Sequence, residues 1–398
     1  MLRSVLSSAL FRQFLKSEAS GGTILLFCTV VSLLLANSEF APGYLAFWEY
    51  PVGPYTTELW INDGLMAIFF LLIGLELVRE LYVGELSEWR VAILPTIAAL
   101  GGVLVPAGIH FAFNAGTPTV AGMGIPMATD IAFAIGIMSL LGRRVPLGLK
   151  VFLTALAVID DLMAIIVIAV FYTDELHLSN LGFALAIFLM LMLFKRLGIR
   201  NLAFYLLPGI GMWYFMHESG VHATIAGVLL ALTIPFGDGK PGSPSYELQK
   251  FLHAPVAFFI LPVFALCNTA IPLPTGWIDD LATRNGFGIM LGLFVGKPLG
   301  IVLASLLAVR SGLAALPAGV NWSLMFGAGS LAGIGFTMSI FITLLAFNDP
   351  VLVDASKMSI ILASTASAIL GLTWLRMTTK APPSPARLRR AKQPEQVG

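Results

Sequence analysis

Two adjacent aspartates, Asp160 and Asp161, stand in the middle of Val151–Thr173, a stretch with no other charge. Apolar runs flank them, VFLTALAVI before and LMAIIVIAVFY after. At a rise of about 1.5 Å per residue, such a segment spans a bilayer and holds the pair near its midplane. A carboxylate at that depth costs about 2.5–3.5 kcal/mol on insertion scales, and two side by side repel. Acids kept there bind and release cations or protons, and a mid-segment position argues against a simple helix cap. Successive residues on a helix point about 100° apart, so the two aspartates are expected to do different jobs.

Other charges at membrane depth extend the pattern. Lys297 lies midway along the otherwise uncharged Gly286–Val309, and a lysine there needs a carboxylate partner. Asp130, Asp160 and Asp161 are the candidates. Gly288, Gly292, Gly296 and Gly300 recur every four residues beside it, leaving one helix face bare for a close neighbour. Asp130 is the only acid between Arg90 and Arg143, and Gly122, Gly124 and Pro126 interrupt its segment just before it. A helix restarted near Ala128–Asp130 presents free amides and a positive dipole end that an aspartate neutralises. A later segment, FGAGSLAGIGFTMSIFI, is interrupted in the same way by Gly327, Gly329, Gly333 and Gly335, with Thr337 close behind. Broken helices are tolerated at depth where they line protein or water. Two of them in separate halves point to a transporter built from inverted repeats.

Weaker signals lie nearer the surfaces. Asp63 reads as a helix-start residue or a group on a cation path. Glu76, Arg79 and Glu80 have the i, i+3, i+4 spacing of a solvated face. His222 in ESGVHATIAG reads equally as a pH-responsive group or a satisfied interface histidine.

The elements that must position these residues are membrane helices. Of 398 residues 58% are hydrophobic and 11% charged, with a mean hydropathy of +0.89, whereas soluble domains carry about 25% charged residues. Apolar stretches predict twelve spans: 11–36, 57–81, 91–114, 118–142, 147–172, 179–195, 201–217, 220–236, 250–271, 286–309, 322–347 and 354–376. With the N-terminus inside, all 23 lysines and arginines except Arg284, Lys297 and Lys357 fall in inside loops or termini. The positive-inside rule then puts both termini in the cytoplasm. The opening residues lack the apolar core and cleavage site of a signal peptide and read as a retained cytoplasmic end. The Pro-rich basic tail after Met377 is expected to be disordered against anionic headgroups. The first outside loop, EFAPGYLAFWEYPVGPYTTE, predicts a short surface hairpin about Pro-Val-Gly-Pro. Cys28 and Cys267, far apart in apolar segments, read as inert core thiols.

Five motifs together resemble the bacterial NhaA-type sodium/proton antiporters: MATDIAFAIG (127–136), LTALAVIDDLMAI (153–165), SGVHATIAG (219–227), VGKPLG (295–300) and GIGFTMSIFI (333–342). The similarity runs from about residue 10 to 376. It implies an all-α polytopic membrane protein of twelve helices with inverted repeats, two broken crossing helices and an outer-surface β-hairpin. The implied division is an interface domain (1–90 and 174–285), a core domain (91–173 and 286–376) and a cytoplasmic basic tail (377–398). Asp160 and Asp161 would carry sodium and protons, with Lys297 pairing Asp160. Thr129 and Asp130 would contribute to ion binding, and Asp130 and Lys297 would compensate the crossed helix ends. Glu76, Arg79, Glu80, Glu85 and His222 would form a pH-response set. The acidic cluster before the ninth helix is displaced here to Glu247 in YELQKFLHAP, beside Lys250. The implied activity is electrogenic exchange of sodium, or lithium, for protons in the inner membrane, activated at alkaline pH. The implied assembly is a homodimer through the hairpin around Phe47–Tyr55, in a lipid bilayer, with no cofactor and no nucleic acid.

Sodium prefers oxygen ligands, as other hard cations do, and a desolvated carboxylate pair takes either sodium or protons. Competition for one site suffices for exchange if the loaded site alternates between sides. An intramembrane aspartyl protease also uses two membrane aspartates, but in Tyr-Asp and Gly-x-Gly-Asp contexts that ATD and IDD do not match. A sodium-coupled symporter of the same fold would need a polar pocket for an organic solute.

Overall fold

The computed structural model describes residues 9–173, 176–273 and 276–379, without the side chains of residues 9–19, Glu85, Arg143 and Asp280. Arg3, most of the basic tail, and the side chains of Arg12, Lys16 and Glu85 therefore lie outside the described residues.

Nearly every apolar stretch is helical. Helix α1 (Ala9–Ala36) is followed by α2 (Ala41–Glu49), which folds back at 115°. The antiparallel pair β1 (Pro51–Val52) and β2 (Tyr55–Thr56) follows, with Val52 opposite Tyr55 and Gly53 at φ +66° in the turn. The chain continues through α3 (Thr57–Tyr82) and α4 (Trp89–Asn114), then a 3-10 segment (Pro118–Met127) and α5 (Ile131–Leu140). Next come α6 (Leu147–Phe171), α7 (Leu178–Arg196), α8 (Ala203–His217), α9 (Ile225–Thr233) and α10 (Pro244–Asn268). The short α11 (Trp277–Leu281) leads to α12 (Arg284–Arg310), α13 (Trp322–Ala332), α14 (Phe336–Ala346) and α15 (Pro350–Thr378).

Seven of these helices are long and apolar enough to cross a bilayer, or ten spans if each bent pair counts as one, so the chain is a multi-span membrane protein. The twelve expected spans are not matched by length alone. Residues 201–217 and 220–236 contain only the short α8 and α9, and the fourth span is half 3-10 helix. The loop after α1 carries the expected short hairpin about Pro-Val-Gly-Pro, confined to four paired residues, and adds an unexpected element before it, the helix α2. Pro42 fits the first turn of a helix, and Tyr44 and Trp48, four apart, share one face. Trp48 is buried, and the Tyr44 hydroxyl donates to Leu266 O in α10 at 2.9 Å.

The glycine face of the tenth expected span does receive a close neighbour, and it is α4. A Cβ on Gly296 would stand 3.0 Å from Pro106 Cα, and one on Gly102 would stand 3.7 Å from Lys297 Cδ. Helix α6 is the most enclosed of the seven unbroken spans, and Asp160 and Asp161 are both buried in it, so the paired aspartates are surrounded by protein rather than lipid. Cys28 and Cys267 are free and buried.

Candidate functional site

Two chain breaks meet at the centre of the molecule. The 3-10 segment and α5 meet at 41° around Ala128–Asp130, and α13 and α14 meet at 46° around Gly333–Gly335. Each break strands carbonyls on one side and amides on the other. Amides from both breaks converge on a single carboxylate: Asp130 Oδ1 accepts from Phe133 N at 3.1 Å, and Oδ2 accepts from Thr337 N at 3.1 Å and Thr337 Oγ1 at 2.5 Å. Asp130 is thus an N-cap for α5 and reaches the start of α14 as well. The backbones also join directly, since Asp130 N donates to Ile334 O at 2.6 Å.

Side chains from other helices take the carbonyls. Ser339 Oγ donates to Ile125 O at 2.7 Å, Thr129 Oγ1 to Ala332 O at 2.8 Å, and Lys297 Nζ to Met127 O. Further up the 3-10 segment, the Tyr172 hydroxyl donates to Ala121 O at 2.7 Å and accepts from Gly124 N at 3.2 Å. A Cβ at Gly124 would fall 2.6 Å from that hydroxyl oxygen, which is why this position holds glycine.

Asp160 and Asp161 face this crossing from α6. Lys297 Nζ lies 2.6 Å from Asp160 Oδ2, and both side chains are fully buried. Thr129 Oγ1 stands 2.7 Å from the same oxygen, so its one hydroxyl hydrogen is shared between Asp160 Oδ2 and Ala332 O. Of the three carboxylates open to Lys297 on sequence grounds, Asp160 is the one in contact. Asp161 points elsewhere, as the helical offset requires. Its Oδ1, like Asp160 Oδ1, is buried with no hydrogen-bond partner among the described residues. Asp161 instead lines a cavity of about 20 Å³ together with Glu76, Thr129, Asp130 and Thr337, room for roughly one water molecule or small ion.

Glu76 corrects the solvated-face reading of 76–80. Its side chain is 13% exposed, it shares the cavity with Asp161, and its Oε1 lies 3.5 Å from His253 Nε2 on α10. Glu80 is also buried, paired with Arg79 at 2.9 Å. Helix α3 is covered at this end by α10, so the charges face protein. His253 is not among the residues that the sequence singles out. Its signal was its place two turns beyond Pro244 on a polar face shared with the buried Gln249.

The other residues expected to be functional stand apart. Asp63 lies at the start of α3 within hydrogen-bond reach of His217, with Oδ2 3.1 Å from Nδ1. His222 bonds the carbonyl of Tyr172 at the end of α6. Glu247 sits in the first turn of α10 and accepts from Gly242 N at 2.9 Å, away from the cavity. Glu85 falls in the turn after α3 and its side chain is outside the described residues.

The donor set at the centre consists of carboxylate, hydroxyl and backbone oxygens around a buried ammonium, which suits small hard cations and protons. Comparison with known proteins agrees with that chemistry. The family described as Na+/H+ antiporter 1 matches residues 12–375. Na(+)/H(+) antiporter NhaA 1 of Flavobacterium johnsoniae is 59% identical over 366 residues, covering 92% of this chain and 96% of that protein. Na(+)/H(+) antiporter NhaA of Cytophaga hutchinsonii is 56% identical over 373 residues, covering 94% and 96%. The NhaA antiporter of Caulobacter vibrioides is 46% identical over 390 residues, covering 96% and 94%. A match of this extent and identity leaves one assignment: the chain belongs to the NhaA-type Na+/H+ antiporter family, a transporter of sodium ions and protons.

Proposed function

We propose that the protein is an electrogenic secondary transporter of the inner membrane that expels cytoplasmic sodium or lithium in exchange for external protons. The observation that carries this reading is the unequal pair at the crossing. Asp161 has a buried, unpartnered carboxylate oxygen and lines a small cavity, while the adjacent Asp160 is tied to Lys297. Sodium binds Asp161 and draws on Asp160, and the binding frees protons from the Asp160–Lys297 side. Titration of the two is coupled, so the protons belong to the group rather than to one residue. Thr129 and Asp130 supply oxygens and hold the broken ends in place.

In this reading the spans number twelve in inverted repeats, with α8 and α9 completed by flanking turns. Residues 91–173 and 286–376 form a core that moves against an interface domain of 1–90 and 174–285. Both termini are cytoplasmic, so the hairpin faces outward, and two copies associate through Phe47–Tyr55. Asp63 lies on the outer cation path. Glu76 stands at the cytoplasmic approach to Asp161, and with Arg79 and Glu80 it confers activation at alkaline pH. Glu85, His222 and Glu247 belong to a wider pH-response set.

Net inward positive charge follows if more than one proton crosses per sodium, and each net charge is worth about 2.3 kcal/mol per 100 mV. The test is sodium-driven current in proteoliposomes whose potential is clamped with potassium and valinomycin. A potential-dependent rate and reversal point are expected, and indifference to potential would establish electroneutral exchange instead.

A further inference from the structure

The seam between α4 and α12 is apolar over most of its length. Gly292 and Gly296 pack on Pro106, Gly102 meets Lys297, and Gly101 meets Gly300. Glycine contacts of this kind let two helices approach but carry no directional bonds, so they do not fix how far one helix has slid along the other. A polar knot sits at the hairpin end of the seam, where α4 ends and α12 begins. His110 Nε2 bonds Asn285 Oδ1 at 3.1 Å, and Asn285 Nδ2 donates to Ser356 Oγ on α15 at 2.8 Å. Asn114 Nδ2 donates to His110 O at 2.9 Å and to Arg284 O at 3.2 Å. The His110 ring is fully buried: a Cβ on Gly288 would lie 2.8 Å from its Cδ2, and one on Gly122 3.2 Å from its Cε1. Its Nδ1 has no hydrogen-bond partner among the described residues. Asn285 also lines a pocket of about 360 Å³ with Thr117, Thr119, Arg284 and Asp349, so the knot has a way to the hairpin-side surface.

We propose that His110 is a positioning residue for Lys297: its bond to Asn285 sets the register of α12 against α4, and a proton arriving through the hairpin-side pocket releases that register. Lys297 lies twelve residues beyond Asn285 on the same helix, about 18 Å along its axis. A neutral ring donates from Nε2 to Asn285 and leaves Nδ1 bare. A protonated ring gains a second N–H with no acceptor in the packed seam, and an unpaired buried charge is strongly destabilising. Toward the hairpin end of the packed elements the titratable and charged groups are Arg284 at the start of α12, Asp349 capping α15, Asp354 and Lys357 on α15, Asp279 on α11 and Tyr172 just after α6, while Lys297 and Arg310 on α12, Lys150, Asp160 and Asp161 on α6 and Arg376 on α15 lie farther along; among the described residues none of them bonds the ring. Acid on the hairpin side therefore favours an opened seam, and Lys297 loses its fixed place beside Asp160.

The inference rests on the exchange reading above, and its test has one arm that does not. His110→Gln keeps a donor for Asn285 and cannot be protonated. Exchange is measured in oriented proteoliposomes while the hairpin-side medium is taken from about pH 7.5 to 5.5 at constant opposite-side pH, a range over which a histidine released into water goes from mostly neutral to about nine-tenths protonated, so that acid draws the seam toward its opened form. The wild-type rate should fall about threefold further than the variant's, and in detergent the wild-type Tm should drop more steeply with acid. Coincident profiles in both arms would overturn the proposal; if no exchange is detected at all, the Tm arm still decides it. Should His110→Gln fail to accumulate, His110→Asn is read the same way.

Discussion

Asp160 sits in a lattice of short bonds, with Lys297 at 2.6 Å and Thr129 at 2.7 Å. One residue later, Asp161 meets apolar side chains and a cavity of about 20 Å³ whose other carboxylates are Asp130 and Glu76. Asp160 ties α6 to α12 and to the broken fourth span, and removing any member of that lattice leaves a stranded polar atom. Asp161 ties nothing together, and its loss leaves the packing intact. The 100° offset between successive helical positions thus separates a carboxylate bonded into the crossing from one that has an oxygen with no bonded partner among the described residues.

That contrast can be broken most directly by comparing isosteric changes. Asp161→Asn should reduce sodium-dependent proton release in inside-out vesicles to the level of protein-free membranes, with Tm unchanged. Asp160→Asn should reduce it as severely and also lower Tm. Equal Tm for the two variants would erase the distinction.

The next largest effect is expected at Lys297. Lys297→Ala leaves Asp160 buried beside Thr129 alone, and breaking such a pair costs about 3–5 kcal/mol. Lys297→Arg should keep the charge and part of the transport. A thermal unfolding midpoint for Lys297→Ala equal to the wild type would show that Asp160 does not depend on it. Thr129→Val sharpens the comparison at small scale. It removes a hydroxyl shared between Asp160 and Ala332 O, worth about 1 kcal/mol, and should lower Tm by a few degrees while exchange stays within a few-fold. An effect as large as that of Asp161→Asn would mean that the hydroxyl is itself an indispensable ion ligand.

The paired aspartates, Lys297 and the two interrupted spans were legible because each is a polar or helix-breaking departure from an apolar background. What membrane depth could not supply was facing. Glu76, Arg79 and Glu80 carry the same spacing whether they point at water or at α10, and only the packing of α3 turns Glu76 toward Asp161. His253 was hidden for a related reason, since the polar face that it shares with Gln249 does not by itself say whether it meets water or α3. Hydropathy also does not separate an α-helix from the 3-10 winding of Pro118–Met127, and it reads the short α8 and α9 as spans because their flanking turns are apolar too. The helix α2 was obscured by Pro42 and the aromatic residues, which read as well for a strand as for a helix start.

Among the described residues three spans contain a single π turn: Trp60–Leu65 in α3, Val256–Ile260 in α10 and Gly292–Gly296 in α12. The last ends directly before Lys297. A π turn holds one residue more than the α-helix around it, so each of these spans carries one residue of slack. Deleting a residue within 292–296 would close that turn into plain helix and leave both ends of α12 where they are. The same deletion a few turns away would rotate everything beyond it by about 100° and swing Lys297 off Asp160. Chain length in α12 is therefore negotiable at one point only, and that point adjoins the residue whose placement is least negotiable.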